Sequence, residues 1–429
     1  RNDWTSLLSK ENRSYFYPST DLSFIPTDAI SSLKNQYIVD FWKIRAAVSK
    51  TGNVNIDPYS LLATYNSITG YSNGTYFRQS SSLVSKDLKP EITKGWEIGT
   101  EFKLLKQLID ASFNYYYTST TGQAISASIA PSSGYTGYLL NTGEVTNKGI
   151  ETSLRVTPVQ TKDWEVSIGA NYTHNKNFLK SLHPDTKRIG VNGSSVIYAE
   201  EGYAVNQIIV ADYARDDQGR VIVDKNTGYP SLATETARLG NTSPKHRLGL
   251  DLRVKWKDFT ISSLFEYRGG YYVASIAQGG EVDFSGSSAR SAYYNRERFV
   301  YPNSSYWDEA SQQYVANNNI TISDGGAGFW SMGINRDAYS NYVYSGDYWK
   351  WRELAISYDI PKTVINKIKG VQAATISLQG RNLFLWTPKS NEYTDPDYSA
   401  NGDNNAIGVS NLSQTPPTRY IGGTVSLTF

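Results

Sequence analysis

Hydrophobic and polar residues alternate along most of this chain. From Trp96 to Leu104 and from Ile109 to Tyr117, apolar side chains fall on every second position, with polar or small side chains between them. A period of two is typical of a β-strand with one wet face and one covered face. The pattern predicts twelve strands, near residues 3–8, 15–25, 37–50, 90–104, 106–118, 143–157, 162–176, 245–256, 258–271, 347–360, 372–386 and 417–429.

The connections between these strands alternate in length. The turns near residues 106, 160 and 257 take only a few residues, whereas the other connections are long, polar and rich in Gly, Asn, Ser and Tyr. The long connections are 51–89, 118–142, 177–243, 272–346 and 387–416. Short turns at one end and long loops at the other are the arrangement of barrels in bacterial outer membranes.

Aromatic residues collect at the strand ends. Trp164 and Trp256 flank tight turns, while Trp96, Trp349 and Trp351 lie at the opposite ends. Two such girdles, on strands of about ten to fifteen residues, are typical of strands that cross a bilayer. We therefore predict an all-β fold, an antiparallel transmembrane β-barrel with long extracellular loops and short periplasmic turns. The alternative is a soluble sandwich, which would cover the apolar faces with a second sheet.

The last residues continue the alternation to the end of the chain. Ile421, Val425, Leu427 and Phe429 share one face, with polar residues between the last three. A terminal amphipathic strand that ends on Phe resembles the closing strand of outer-membrane barrels, which the barrel assembly machinery reads. Phe429 is therefore the expected assembly signal. Pro361 opens a segment that departs from the strand pattern and predicts a short periplasmic helix.

The composition limits the chemistry. The 429 residues include 33 Tyr and 10 Trp but only three His and no Cys, which excludes disulfides, thiolate metal sites and a cysteine nucleophile. The 42 Lys and Arg balance 40 Asp and Glu, so no nucleic-acid partner is expected. With no catalytic constellation in view, the sequence predicts neither an enzyme nor a cofactor.

Several sequence blocks resemble one family. The blocks are Trp42-Lys-Ile-Arg45, Leu88-Lys-Pro-Glu91, Asn141-Thr-Gly-Glu-Val-Thr-Asn-Lys-Gly-Ile-Glu151, Gly346-Asp-Tyr-Trp349, Gly380-Arg-Asn-Leu383 and Asp395-Pro-Asp397. Their order and spacing, over most of the chain, resemble the barrel of the SusC/RagA-type TonB-dependent outer-membrane transporters of Bacteroidetes.

The resemblance implies that this chain is part of a larger protein. Such transporters carry an N-terminal domain, a TonB-contacting segment and a plug before a barrel of about 22 strands. Residues 1–429 are therefore expected to be the C-terminal part of the barrel, with the plug and the N-terminal domains outside it. The resemblance also implies a SusD-like surface lipoprotein as partner, pairing of two such complexes, TonB as energy source through a segment absent here, and contact with outer-membrane lipid.

Loop aromatics are the candidate substrate-binding residues, because sugar rings and peptide side chains both pack on aromatic faces. They are Tyr271, Tyr272, Tyr293, Tyr294, Trp307, Trp330 and Tyr393. The alternative is that they pack the loops on one another. Asp395 and Asp397 are weak candidates for a Ca²⁺ site, and a solvated turn is the favoured alternative.

Import of oligomeric nutrients across the outer membrane is the function that the sequence favours. Within it, glycans are the favoured substrate and peptides the alternative. A passive porin is the second function, and it would form a complete barrel without a plug. A secreted β-sandwich adhesin is the third, and it would pair its apolar faces with each other.

Overall fold

The computed structural model describes residues 1–35, 37–62, 64–69, 74–128, 130–183, 186–191, 194–331, 334–400, 407–411, 415 and 417–429. The strands are β1 Asn2–Trp4, β2 Ser14–Phe16, β3 Ser19–Phe24, β4 Val39–Asn53, β5 Tyr65–Thr69, β6 Thr75–Gln79, β7 Ser82–Val84, β8 Glu91–Leu104, β9 Ile109–Ser128, β10 Gly137–Gln160, β11 Trp164–Ser181, β12 Arg188–Gly190, β13 Ile197–Glu200, β14 Gln207–Val210, β15 Val221–Ile222, β16 Ala237–Asn241, β17 His246–Trp256, β18 Phe259–Gly269, β19 Tyr272–Ala274, β20 Ser304–Asp308, β21 Gln313–Ala316, β22 Val343–Ser345, β23 Tyr348–Asp359, β24 Ala373–Trp386 and β25 Tyr420–Thr428.

Helices are few and short. The α-helices are α1 Pro26–Ala29, α2 Ile276–Phe284, α3 Ala327–Trp330, α4 Ile334–Asp337 and α5 Lys362–Ile365, and the 3-10 turns are Ser31–Leu33, Pro131–Ser133, Arg290–Arg296 and Tyr339–Tyr342. Helix α5 directly follows Pro361, which confirms the short helix predicted there. Among the described residues, no helix has the length and apolar character that crossing a membrane requires.

One antiparallel sheet forms the wall of the molecule. Its strands follow the order β25-β24-β23-β18-β17-β11-β10-β9-β8-β4-β3, and β7 adds a short parallel pairing to β10. Neighbours in the sheet are neighbours in the chain, as expected for hairpins joined by turns. The end strands β3 and β25 are exposed throughout and are not paired with each other within the described residues.

Eleven of the predicted strands lie in this wall in the predicted order, and one prediction is wrong. The segment predicted as a strand at 3–8 contributes only Asn2–Trp4, which pairs with Ser14–Phe16 in a separate two-stranded sheet. The connection predicted over 118–142 is also mostly strand, because β9 and β10 stay paired out to Ser128 and Gly137. Its Ser, Thr and Gly residues hide the alternation there.

The apolar side chains of the wall lie on its outer face and are uncovered. Ile168 is 49 % exposed, Leu252 40 % and Ile376 46 %. So wide an exposed apolar face excludes the sandwich alternative and is the lipid-facing surface of a barrel wall. The aromatic residues at the strand ends lie on this face: Trp164 lies opposite Trp256 with ring centroids 5.8 Å apart, and toward the other end Trp96 lies opposite Tyr117.

The other face of the wall is polar and hydrogen-bonded. Arg45 Nη1 lies 2.6 Å from Glu101 Oε1, and Arg155 Nη2 lies 2.9 Å from Asp251 Oδ1. Since successive side chains of a strand point to opposite sides, these charges face away from the lipid, toward the lumen.

The long connections fold into small cores of their own. One core combines Phe299, Ile322, Phe329 and Trp330, and a second combines Tyr271, Val273 and Tyr344. These cores hold the long connections in a folded arrangement.

Candidate functional site

A buried ion network joins the last long loop to the wall. The ammonium of Lys350, on β23, is 2.7 Å from Asp395 Oδ2 and 3.2 Å from Asp397 Oδ2. The side chain of Lys350 is only 2 % exposed and that of Asp395 only 5 %. A buried charge of this kind persists only when it is paired and hydrogen-bonded.

Two arginines complete the network around Asp397. Arg352 Nη1 lies 2.6 Å from Asp397 Oδ2, and Arg268 Nη1 lies 3.1 Å from Asp397 Oδ1. Both arginines also pair with Glu266, and the Tyr348 hydroxyl donates to Asp397 Oδ1 over 3.1 Å. The alternation of β18 and β23 places these polar side chains on the lumen face, because the tryptophans between them face lipid.

The charges around Asp397 set its protonation. Burial alone raises the pKa of this carboxyl, but the hydrogen bond from Arg352 and the charges of Lys350 and Arg268 outweigh it, so the pKa lies well below its usual range. Asp397 is therefore an anion that holds three cations.

The structure corrects the reading of the two acids. Asp395 and Asp397 are neither a Ca²⁺ site nor a solvated turn, because side-chain cations already occupy their oxygens. Within the described ranges, no group of three or more Asp, Glu or His is arranged to hold a metal ion. The sequence did carry a signal for the network, since Lys350 and Arg352 alternate with tryptophans in one strand.

Some of the predicted aromatic residues lie inside the loop cores. Tyr271 is 4 % exposed and donates its hydroxyl to the Pro396 carbonyl over 3.3 Å, which helps to hold the 395–397 segment. Trp330 is 8 % exposed and packs edge-on against Phe329. Both positions fit the alternative that these rings pack the loops.

Other predicted aromatic residues are open to solvent. Tyr272, Tyr293 and Tyr294 are exposed, and Tyr294 stacks on Phe299 with ring centroids 4.3 Å apart. Trp307 is exposed beside Tyr314, and Tyr393 is half-buried. A role of these rings in substrate contact stays a prediction.

A cavity of about 1040 Å³ opens between the wall and the loops, and no motif in the sequence pointed to it. Its lining includes apolar side chains, among them Leu88, Leu179 and Ile189. It also includes neutral amides from distant parts of the chain, which are Asn53, Asn55, Gln123, Asn147, Asn177 and Asn206. Asp57, Lys89 and Glu91 add the lining charges. No local motif links these positions: the strands β4, β9, β10 and β11 carry some of them and the connections carry the others, so only the folded chain brings them together.

The amides keep hydrogen-bonding capacity in this cavity. The Asn206 side-chain oxygen is buried without a partner among the described residues, while Asn177 Oδ1 accepts from the Val205 amide over 2.9 Å. A lining that mixes amides with apolar side chains fits a ligand with hydroxyl or amide groups and apolar faces.

Known proteins resemble this chain in sequence. Residues 1–383 match the family model described as TonB dependent receptor-like, beta-barrel. The chain is 23 % identical to TonB-dependent receptor P3 of Formosa agariphila, over 96 % of this chain and 41 % of that receptor. It is 27 % identical to TonB-dependent receptor SusC of Bacteroides thetaiotaomicron, over 69 % of this chain and 32 % of SusC. The aligned region thus covers less than half of each relative.

A solved structure shares the fold. The chain superposes on the RagAB peptide transporter with a TM-score of 0.76 at 19 % identity, covering 100 % of this chain and 45 % of that one. At 19 % identity this similarity supports the fold alone, which is a β-barrel wall with folded loops.

Proposed function

The chain belongs to the TonB-dependent receptor-like β-barrel family, whose members lie in the outer membrane, and from this we propose its function. We propose that the protein that contains this wall imports oligomeric nutrients across the outer membrane. Glycans are the favoured substrate. Transport needs a polar lumen, a binding surface and no covalent chemistry.

The cavity between wall and loops is the observation that carries this proposal. Its amides, such as Asn55 and Asn147, are uncharged and offer both donors and acceptors, which matches the hydroxyls of a neutral sugar chain. Its apolar lining residues, such as Leu88 and Leu179, match the apolar faces of sugar rings. Exposed Tyr272 and Trp307 add ring surfaces in the loops.

A peptide is the second candidate substrate. The same side-chain amides pair equally well with the backbone of an extended peptide. The RagAB structure is that of a peptide transporter, but its 19 % identity supports only the fold, so it leaves the choice between glycan and peptide to experiment.

The partners belong to the same proposal. Residues 1–429 form the C-terminal part of a larger barrel, whose remaining strands pair with the exposed edges β3 and β25. The plug and the TonB-contacting segment lie outside this chain, a SusD-like lipoprotein covers the extracellular loops, and two such complexes pair. Phe429, at the exposed end of the last strand, is the signal for the barrel assembly machinery.

Binding by the purified full-length transporter tests the substrate. Calorimetric titration with neutral glycan pools and with peptide pools is expected to give binding to glycans. Replacing two cavity amides, Asn55→Ala with Asn147→Ala, is expected to weaken binding about 30-fold, since each lost hydrogen bond contributes about 1 kcal/mol. The matched control Asn366→Ala, on the exposed segment after α5, leaves binding unchanged.

Three outcomes would change the proposal. Binding of peptides alone would replace glycans by the second candidate. Equal loss in the Asn366→Ala control would remove the cavity from the argument. Uptake by cells that persists without TonB would favour a passive porin over an active importer.

A further inference from the structure

Four lysines on the outer face of the wall lie in two directly opposed pairs. Lys50 of β4 is the cross-strand partner of Lys94 of β8, and Lys148 of β10 is the partner of Lys176 of β11. We call these four residues the lysine band. Like charges directly opposite each other on a sheet destabilise it, so two such pairs need a compensating partner.

The register shows which face carries the band. Trp96, Tyr117, Lys148 and Lys176 are successive partners across β8, β9, β10 and β11. Directly opposite residues share a face, so these lysines lie on the same side as Trp96, which belongs to the lipid-facing girdle.

The band also marks a sharp boundary along the strands. From Trp96 to Leu104 and from Tyr172 to Trp164, every outward position down to the short turns is uncharged. The lysines lie beyond this uncharged region, at the end of the strands that carries the long loops, with His174 between Tyr172 and Lys176 on β11. They therefore lie at the level where the hydrocarbon of the outer leaflet gives way to its headgroups.

The lysine band has no carboxylate partner among the described residues. None of the four lysines has an ion-pair partner in the part of the chain that the structure describes. The outward carboxylate nearby, Glu144, is taken by Lys180 at 3.1 Å and by the Ser119 hydroxyl at 2.8 Å. Lys94, Lys148 and Lys176 are exposed, and Lys50 is half-buried.

We propose that the lysine band binds the phosphorylated headgroups of glycolipids in the outer leaflet. Phosphate is the anion that suits opposed pairs of ammonium groups, because each lysine acts as a mobile point charge that donates to its oxygens. The acyl chains of the same lipid then lie along the uncharged strand surface below. One amphiphilic ligand thus satisfies the cations and covers the apolar wall.

A second copy of this chain is the competing occupant, and the observations favour lipid over it. A copy of the same face would bring another lysine band against the first and add to the repulsion. A phosphorylated lipid removes it.

Lipid binding by the purified full-length transporter tests the proposal. Delipidated protein is titrated with diphosphorylated lipid A and with dephosphorylated lipid A, and bound lipid is counted by native mass spectrometry. The proposal expects preference for the phosphorylated form, weakening at high salt. Each lysine near an anionic lipid surface contributes about fivefold in affinity, so Lys148→Gln with Lys176→Gln is expected to lose about 25-fold.

Matched variants separate the band from general charge. Lys50→Gln with Lys94→Gln gives an independent second pair, in case the first pair assembles poorly. Lys362→Gln with Lys367→Gln removes the same charge from exposed positions at the opposite end of the wall and leaves lipid A binding unchanged.

Several results would overturn the proposal. Two of these are equal binding of both lipid forms and unchanged binding in both band variants. A third is competition by inorganic phosphate that is as strong as competition by diphosphorylated lipid A, which would indicate a site for free phosphate. A shift of oligomeric state in the band variants without loss of lipid would assign the surface to a second copy.

Discussion

At the scale of single residues, the ion network around Lys350 is the most sensitive part of the molecule. Three cations, Lys350, Arg268 and Arg352, converge on Asp397, and the 2 % exposure of Lys350 leaves no room for water to replace a lost partner. The network links a loop to two wall strands, so its integrity decides whether the loop stays docked.

Removing one carboxylate from this network should be costly. Asp397→Asn leaves three cations with only two carboxylates, Asp395 and Glu266, so one buried positive charge loses its partner. We expect a loss of about 3–5 kcal/mol in the free energy of unfolding, as for other broken buried pairs. The matched control is Glu353→Gln, whose partner Arg381 is 3.5 Å away and 58 % exposed, and its loss should stay below about 1 kcal/mol. Denaturant titration of both variants measures the difference, and equal small losses would contradict a structural role for the network.

The depressed pKa of Asp397 predicts how the loop responds to acid. A carboxyl whose folded pKa is lowered stabilises the folded state above its unfolded pKa of about 3.9, and that stabilisation is lost as pH falls through the folded value. Hydrogen exchange of residues 387–400, corrected for intrinsic rates, should therefore show equal protection at about pH 7 and pH 4. Release of the loop already near pH 4 would show that the cations do not hold Asp397 ionised.

Residue-level chemistry was the hardest part to predict from the sequence. Asp395 and Asp397 stood out as acids, but their partners on β18 and β23 lie far away in the chain. The sequence does not say which distant strand a loop meets. For the same reason, the burial of Tyr271 and Trp330 could not be distinguished from the exposure of Tyr293 and Trp307.

At the scale of elements, the wall strands were predictable because their environment is simple. Lipid on one side and water on the other impose a period of two, so β8 and β17 were located almost to the residue, whereas β9 and β11 run five to ten residues further into the loop side than predicted. The failure at 3–8 has the same cause: a segment that pairs outside the wall is not held to that alternation.

A charge placed on the lipid face of one strand should hinder assembly. Leu250→Arg or Ile168→Arg puts a guanidinium near the middle of the membrane and should cost about 2–4 kcal/mol. Asn171→Arg, on the lumen face of the same strand as Ile168, is the control and should be tolerated. The yield of folded, heat-modifiable barrel in membranes compares them, and normal folding of both lipid-face variants would contradict the assignment of faces.

At the scale of the whole molecule, the orientation of the wall decides which face meets lipid. The roles proposed for the substrate cavity, the ion network and the lysine band all depend on that orientation. Because these 429 residues contain no Cys, a cysteine introduced among them is the only one in this part of the protein.

The most direct test therefore labels Ile168→Cys and Asn171→Cys, one at a time, in the full-length transporter reconstituted into bilayers. Each fluorophore is exposed to a quencher carried by acyl chains and to aqueous iodide. The account predicts that the acyl-chain quencher reaches the label at 168 and that iodide reaches the label at 171. Quenching of the label at 168 by iodide alone, or equal quenching at both sites, would contradict it.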